Sequence, residues 1–95
     1  MKSLAIAVIL GTVSLATGEA ANASEALAKS SGCLTCHAAD TKKVGPSFKE
    51  TAAKFKGKAD AEASLVAKLK AGTGHPAAKA SEEDLKTVVK WILAM

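Results

Sequence analysis

Both cysteines of this 95-residue chain lie in one short segment, Cys33-Leu34-Thr35-Cys36, which is followed directly by His37. The spacing C-x-x-C-H is typical of covalent haem attachment. Two thiols separated by two residues on a tight turn can both form thioethers with the vinyl groups of one haem. The next residue then presents an imidazole to the iron. The motif therefore predicts one haem c, bound through Cys33 and Cys36, with His37 as an iron ligand.

The N-terminal residues have the order of a secretory signal peptide. Lys2 gives a positive start, an uncharged and mainly apolar run of 13 residues follows at 4–16, and the small residues Ala21 and Ala23 form an A-x-A cleavage site. A membrane anchor needs about 18–20 apolar residues, which is more than this run provides. The pattern therefore predicts export of the chain.

We expect the signal peptide to comprise residues 1–23 and to be cleaved after Ala23, with residues 24–95 forming one domain. Cleavage after Ala20 and retention as an uncleaved anchor are the alternatives. After cleavage, no membrane insertion is expected.

The segment 24–95 is short and poor in large apolar side chains. It has 72 residues, its apolar content is mostly alanine, and its only aromatic side chains are Phe48, Phe55 and Trp91. A domain of this size buries a modest core and often needs a metal, a disulfide or a cofactor for stability. A haem would supply the large apolar group that is missing.

Two other interpretations of the cysteines remain open. A structural zinc site needs four ligands, and these could be supplied by Cys33, Cys36, His37 and His75. The cysteines alone have the spacing of a redox-active disulfide, although the βα context of that motif is missing. The export signal and the underfilled core favour haem over zinc, and the missing βα context disfavours the redox-active disulfide.

The charge of the segment 24–95 argues against nucleic-acid binding. It has twelve lysines, eight acidic residues and no arginine, which gives a formal charge of +4. Bidentate contacts to phosphates and bases favour the planar guanidinium, and the sequence has no interleaved aromatics on which bases could stack. The lysines are explained by solubility, or by a weak electrostatic attraction to an acidic partner.

Caps and apolar periodicity predict an all-α domain of about four helices and no strand. Three apolar residues of the second helix recur at i, i+4 and i+7, and the last helix has a capping box formed by Ser81 and Asp84. Its apolar stripe comprises Leu85, Val88, Val89 and Ile92. The predicted N-caps are Ser24, Ser47, Asp60 and Ser81, the predicted helix ends are Gly32, Gly57 and Gly72, and loops are predicted at 40–46 and 72–80.

Two segments resemble the small class I cytochromes c of the bacterial periplasm. They are residues 33–57, CLTCHAADTKKVGPSFKETAAKFKG, and residues 81–93, SEEDLKTVVKWIL. The resemblance covers nearly the whole segment 24–95. It implies the class I cytochrome c fold, with about four helices wrapped around one covalently bound haem. It also implies a periplasmic, monomeric carrier of single electrons that exchanges them with redox partner proteins and is not an enzyme.

The same resemblance implies roles for four residues. His37 is the proximal iron ligand, and the carbonyl of Pro46 accepts a hydrogen bond from its Nδ1–H, which fixes the tautomer and strengthens the imidazole as a donor. Gly32 allows a close approach of the first and last helices, and Trp91 packs nearby as an ordinary core residue.

The sequence departs from this family in the loop before the last helix. Family members have a longer loop there, with a tryptophan and a methionine that binds iron opposite the histidine. Here the only methionine after cleavage is Met95, at the chain end. His75-Pro76 falls at the register of the family's Met-Pro, which implies that His75 is the second iron ligand and that the potential is low. Lys79 and an open sixth position are the alternatives.

Two further functions are compatible with a haem on this chain. One is a sensor or binder of small gaseous ligands, whose distal ligand is displaceable. The other is an enzyme such as a peroxidase, for which the loop offers His75 as the sole acid–base group. An electron carrier is the favoured hypothesis because nothing else in the sequence suggests chemistry on a substrate.

Overall fold

The computed structural model describes Gly11 and residues 17–95. Within these residues it has helices α1 (Thr17–Ser30), α2 (Phe48–Phe55), α3 (Ala61–Ala71) and α4 (Glu82–Leu93), with a single 3₁₀ turn, Cys33–Thr35, after α1. The described residues contain no strand. The prediction of an all-α chain is confirmed.

Helix α4 is the centre of the packing and contacts α1, α2 and α3. Three residues of its predicted stripe, Leu85, Val88 and Val89, are each no more than 2% exposed. Val66 of α3 joins Leu85 and Val89 in the buried cluster. Ile92, the last residue of the stripe, is only half-buried.

Two of the predicted N-caps are confirmed. The Ser47 hydroxyl accepts a hydrogen bond from the backbone N–H of Glu50 at 3.1 Å, and the Ser81 hydroxyl accepts one from Asp84 at 3.2 Å. Both serines have extended backbone geometry, which aims the side chain at the free N–H groups of the first turn. These caps determine where α2 and α4 begin.

The predicted capping role of Asp60 is wrong. Its side chain makes no cap hydrogen bond, and its backbone has φ −95° and ψ 4°, not the extended geometry of a side-chain cap. A turn precedes it, in which the Ala61 N–H donates to the Lys58 carbonyl at 3.2 Å. The incoming turn therefore sets the start of α3. The C-terminal end of α3 agrees with the prediction, because Gly72 adopts the left-handed conformation that ends many helices.

The role expected for Gly32 is also wrong. A β-carbon at this position would have no atom within 4 Å, so no helix approaches closely there. Gly32 instead has φ +81°, a left-handed conformation that side chains disfavour. It reverses the chain after α1 and starts the turn that carries the cysteines.

Helix α1 begins earlier than predicted. It starts at Thr17, so Ser24 is an internal, buried helical residue and not an N-cap. Residues 17–23 contain three alanines and no proline, which allows the helix to extend in the uncut chain. The predicted apolar run at 4–16 lies outside the described residues except for Gly11. None of the described helices is long and apolar enough to cross a membrane.

Candidate haem-binding site

The two cysteines lie on the 3₁₀ turn that follows α1. The backbone N–H groups of Cys36 and His37 both donate to the Cys33 carbonyl, at 3.3 and 3.0 Å. Both thiols are free and half-buried. The turn thus presents two thiols and one imidazole from five consecutive residues.

The zinc interpretation needs Cys33, Cys36, His37 and His75 around one metal ion. Burial raises the pKa of the Cys33 thiol, and a backbone hydrogen bond opposes this effect. In the part of the chain that the structure describes, no three His, Cys, Asp or Glu side chains lie close enough to hold a metal ion. The four-ligand zinc site therefore does not form there.

The imidazole of His37 is fixed by the loop that follows the turn. Its Nδ1 lies 2.7 Å from the Pro46 carbonyl oxygen. A carbonyl only accepts hydrogen bonds, so Nδ1 carries the proton and Nε2 keeps the lone pair that can bind a metal. The loop is tied to the turn because the Gly45 N–H donates to the Cys36 carbonyl at 2.8 Å.

The imidazole of His75 has the same tautomer. Its Nδ1 lies 2.7 Å from the carbonyl oxygen of Pro76, which leaves Nε2 as the nitrogen with the lone pair. The loop is anchored to α3 because the Ala78 N–H donates to the Leu69 carbonyl at 2.9 Å. His75 itself is half-buried.

The two histidines meet across the structure. Their ring centroids are 6.0 Å apart and their planes differ by 10°. The structure therefore brings His75 to the turn that carries Cys33, Cys36 and His37, although 38 positions separate the two histidines in the sequence.

An aromatic pair supports the His37 ring, and the sequence analysis did not predict this contact. The Phe48 ring lies 5.5 Å from the His37 ring with an interplanar angle of 21°. Trp91 of α4 meets Phe48 edge-on at 5.7 Å. The apolar period of α2 had marked Phe48 as a core residue, but the period does not indicate which side chain it packs against.

These residues fit a c-type haem in their chemistry. The turn offers two unpaired thiols for thioether bonds, and two imidazoles offer Nε2 lone pairs. The surroundings also suit a large apolar ligand, because the apolar residues packed against the cluster of Val66, Leu85 and Val89 are partly exposed. Those partly buried residues are Leu65, Leu69, Ala78, Ala80 and Leu93.

Comparison with known proteins gives the same assignment from sequence. The family profile described as "Cytochrome c" matches residues 20–95. Cytochrome c-551 of Pseudomonas aeruginosa is 41% identical over 102 aligned positions, which cover 99% of this chain and 98% of that protein. Cytochrome c-551 of Azotobacter vinelandii is 46% identical over 76 positions, which cover 73% of this chain and 93% of that protein.

Solved structures match the fold. The class 1 cytochrome MtoD from Sideroxydans lithotrophicus ES-1 superposes with a TM-score of 0.68 at 38% identity, over 77% of this chain and 92% of that one. Wild-type cytochrome c552 of Nitrosomonas europaea superposes with a TM-score of 0.65 at 36% identity, over 73% and 95%. The expected class I cytochrome c fold is confirmed. The chain therefore belongs to the cytochrome c family of electron carriers, which are not enzymes, and it carries one haem c bound covalently through Cys33 and Cys36.

Proposed function

We propose that this chain is a periplasmic one-electron carrier of low potential, whose haem iron is bound by His37 on one face and by His75 on the other. In this proposal residues 1–23 are a signal peptide, and the mature protein is the domain 24–95. The family membership supplies the haem and the electron-carrier class. The second histidine ligand, the low potential and the compartment are inferences from this chain's own residues.

The observation that carries the proposal is the arrangement of the two imidazoles. Because a metal–imidazole bond is about 2 Å long, two imidazoles on opposite sides of one metal ion have ring centres about 6 Å apart. The rings of His37 and His75 have centroids 6.0 Å apart. Both rings also donate through Nδ1 to a backbone carbonyl, so both keep Nε2 for a metal.

The anchoring of the distal loop supports His75 as a permanent ligand. A loop this short could place a histidine too far from the iron, or let it reach the iron only under strain. Its contact with Pro76 is made within the loop, and the Ala78–Leu69 hydrogen bond ties the loop to α3. These two contacts limit the movement of His75 relative to α3.

Two other side chains are weaker candidates for the sixth ligand. Lys79 is an exposed residue of the same loop. Met95 is 40% exposed and lies beyond the end of α4, beside Lys49 and Lys56 of α2. Of these three candidate ligands, His75 is the one with a described ring contact to His37.

The chemistry assigned to each residue follows from this arrangement. The haem, when bound, supplies the iron that is reduced and oxidised by one electron. Cys33 and Cys36 would hold it covalently, and His37 and His75 would bind its iron. The carbonyls of Pro46 and Pro76 accept the Nδ1 protons, which makes both imidazoles stronger donors. A thioether ligand raises the potential of a cytochrome c, so replacing it with an imidazole lowers the potential.

Export and cleavage are supported by the relatives and by the packing of α1. The A. vinelandii protein aligns with 73% of this chain over 93% of its own length, and the proposed mature domain is 72 of the 95 residues. Ala28, the fully buried residue of α1, lies in the part that would remain after cleavage. The mass of the purified periplasmic protein tests this part: a chain beginning at Ser24 plus one haem is expected. A chain that keeps Met1, or that stays in the cytoplasm, would contradict it.

The ligand assignment is tested by optical and electron paramagnetic resonance spectra of the oxidised protein, with near-infrared magnetic circular dichroism to identify the ligands. A low-spin ferric haem with two imidazole ligands is expected. A high-spin spectrum, or one indicating methionine or lysine, would contradict the proposal. Carbon monoxide added to the reduced protein separates carrier from gas sensor, because two tightly held ligands resist displacement and a sensor's distal ligand does not.

A further inference from the structure

Residue 45 lies against the ring of His37, and it has no side chain. A β-carbon there would overlap His37 Cε1 and would lie 2.8 Å from Nδ1 and 2.9 Å from Nε2. Real β-carbons essentially never approach other atoms this closely. Any residue other than glycine would therefore have to displace either the imidazole or the loop.

The loop has little freedom to move away. The Gly45 N–H donates to the Cys36 carbonyl at 2.8 Å, and the Gly45 carbonyl accepts from the Lys43 N–H at 3.1 Å. Pro46 follows directly, with its φ restrained by the ring and its carbonyl bound to His37 Nδ1. The imidazole is the more mobile partner, because a side-chain ring can rotate about one bond.

Three contacts together fix the rotation of the His37 ring. The Pro46 carbonyl holds Nδ1, Gly45 lies against Cε1, and the Phe48 ring lies 5.5 Å away with its plane 21° from that of the imidazole. The His75 plane is 10° from that of His37. The near-parallel arrangement therefore depends on the angle at which His37 is held.

We propose that Gly45 is a positioning residue that fixes the rotational angle of the His37 imidazole and so keeps the two ligand planes parallel. This rests on the proposed binding of iron by both histidines. Parallel imidazoles donate into the same iron d orbital. This separates the energy of that orbital from the energy of the second d orbital of π symmetry, and the electron paramagnetic resonance spectrum is then rhombic. Perpendicular imidazoles leave the two orbitals nearly equal in energy and give an axial spectrum with a larger maximum g value.

The test compares wild-type holoprotein with Gly45→Ala and Gly57→Ala. The wild type should give a rhombic low-spin spectrum. Gly45→Ala should shift the spectrum toward the axial type, and its potential should rise as the bond to Pro46 weakens. Gly57→Ala is the control for strain alone, since Gly57 has φ +80° but a β-carbon there meets no atom within 4 Å. It should lower the melting temperature and leave the g values unchanged.

The possible results separate this proposal from the ligand assignment. A haem-loaded Gly45→Ala protein with the wild-type spectrum would overturn the role of Gly45. An axial wild-type spectrum, with two imidazoles identified by magnetic circular dichroism, would overturn the parallel planes and leave the ligands intact. If the wild-type iron does not have two imidazole ligands, both the proposed function and the parallel ligand planes are overturned. A Gly45→Ala protein that does not retain haem would overturn the positioning role, because Gly45 would then be required for haem attachment itself.

Discussion

The Lys43 ammonium donates a hydrogen bond to the backbone carbonyl of Leu34, at 3.0 Å. Leu34 lies between the two cysteines, so a positive charge is held against the turn to which the haem is attached. Other lysines of this region are engaged differently. Lys49 forms an ion pair with Asp40, and Lys54 lies 5.8 Å above the Phe55 ring. Lys43 is thus a lysine whose position is tied directly to the haem site.

This contact makes the expected electrostatic attraction to an acidic redox partner testable. We expect electron exchange with such a partner to slow as salt rises, because the Debye length falls from about 10 Å at 0.1 M to about 3 Å at 1 M. Lys43→Gln should reduce the second-order rate about two- to five-fold at low salt and have little effect at high salt. Lys70→Gln, which removes a charge paired with Glu82 at 3.3 Å, is the control. A second-order rate that does not change with ionic strength would contradict the electrostatic attraction and would leave the carrier function unaffected.

Substitution of His75 should change the iron's coordination. In His75→Ala the oxidised haem should become high-spin or bind water, because the imidazole that approaches His37 is lost. In His75→Met, a thioether that reaches the iron should restore a low-spin state and raise the potential. Lys79→Ala is the matched control in the same loop and should keep the wild-type optical spectrum. A low-spin spectrum in His75→Ala that is lost on adding Lys79→Ala would identify the lysine as the ligand.

Removal of both cysteines should prevent stable folding. The buried apolar side chains that the structure describes are mostly alanine and valine, so a chain without covalent haem has too small a core for its length. Cys33→Ala/Cys36→Ala should therefore retain no haem after denaturation and give a far-ultraviolet dichroism spectrum of low helix content. Thr35→Ala, an exposed change within the same motif, should keep both properties. A helical, cooperatively melting double variant would disagree with this expectation.

Loss of the Ser81 cap should lower stability by a measurable amount. Ser81→Ala removes the acceptor of the Asp84 N–H at the start of α4, which should lower the free energy of unfolding by about 1 kcal/mol. Ser64→Ala is the control, since Ser64 is an exposed internal residue of α3. Denaturant unfolding of the two holoproteins measures the difference. Equal midpoints in the two variants would mean that the cap adds nothing to holoprotein stability.

Local chemistry made parts of this fold predictable from sequence. Ser47 and Ser81 cap helices because their side chains reach backbone groups three residues away, and Gly72 ends α3 through its own φ angle. The failures at Asp60 and Gly32 share one cause. Each prediction assumed a geometry that depends on the incoming turn or on a distant helix, and a single sequence specifies neither.

The candidate site also contains residues that the sequence predicted and contacts that it did not. The motif and the family register pointed to Cys33, Cys36, His37 and His75. The contact of Gly45 with the His37 ring was not predicted, because Gly45 was expected only to form part of the loop at 40–46. The role of Phe48 beside His37 was not predicted either, because both contacts arise when separate segments fold together.

The continuity of α1 across Ala23 and Ser24 has a consequence for the order of maturation. Peptidases bind their substrates with an extended backbone, and in the uncut chain this bond lies inside a helix that begins at Thr17. Under the proposed cleavage after Ala23, a chain that folded around its haem first would hide this bond. The proposal therefore implies that cleavage precedes folding, and that α1 of the mature protein docks only after the residues before Ser24 have been removed.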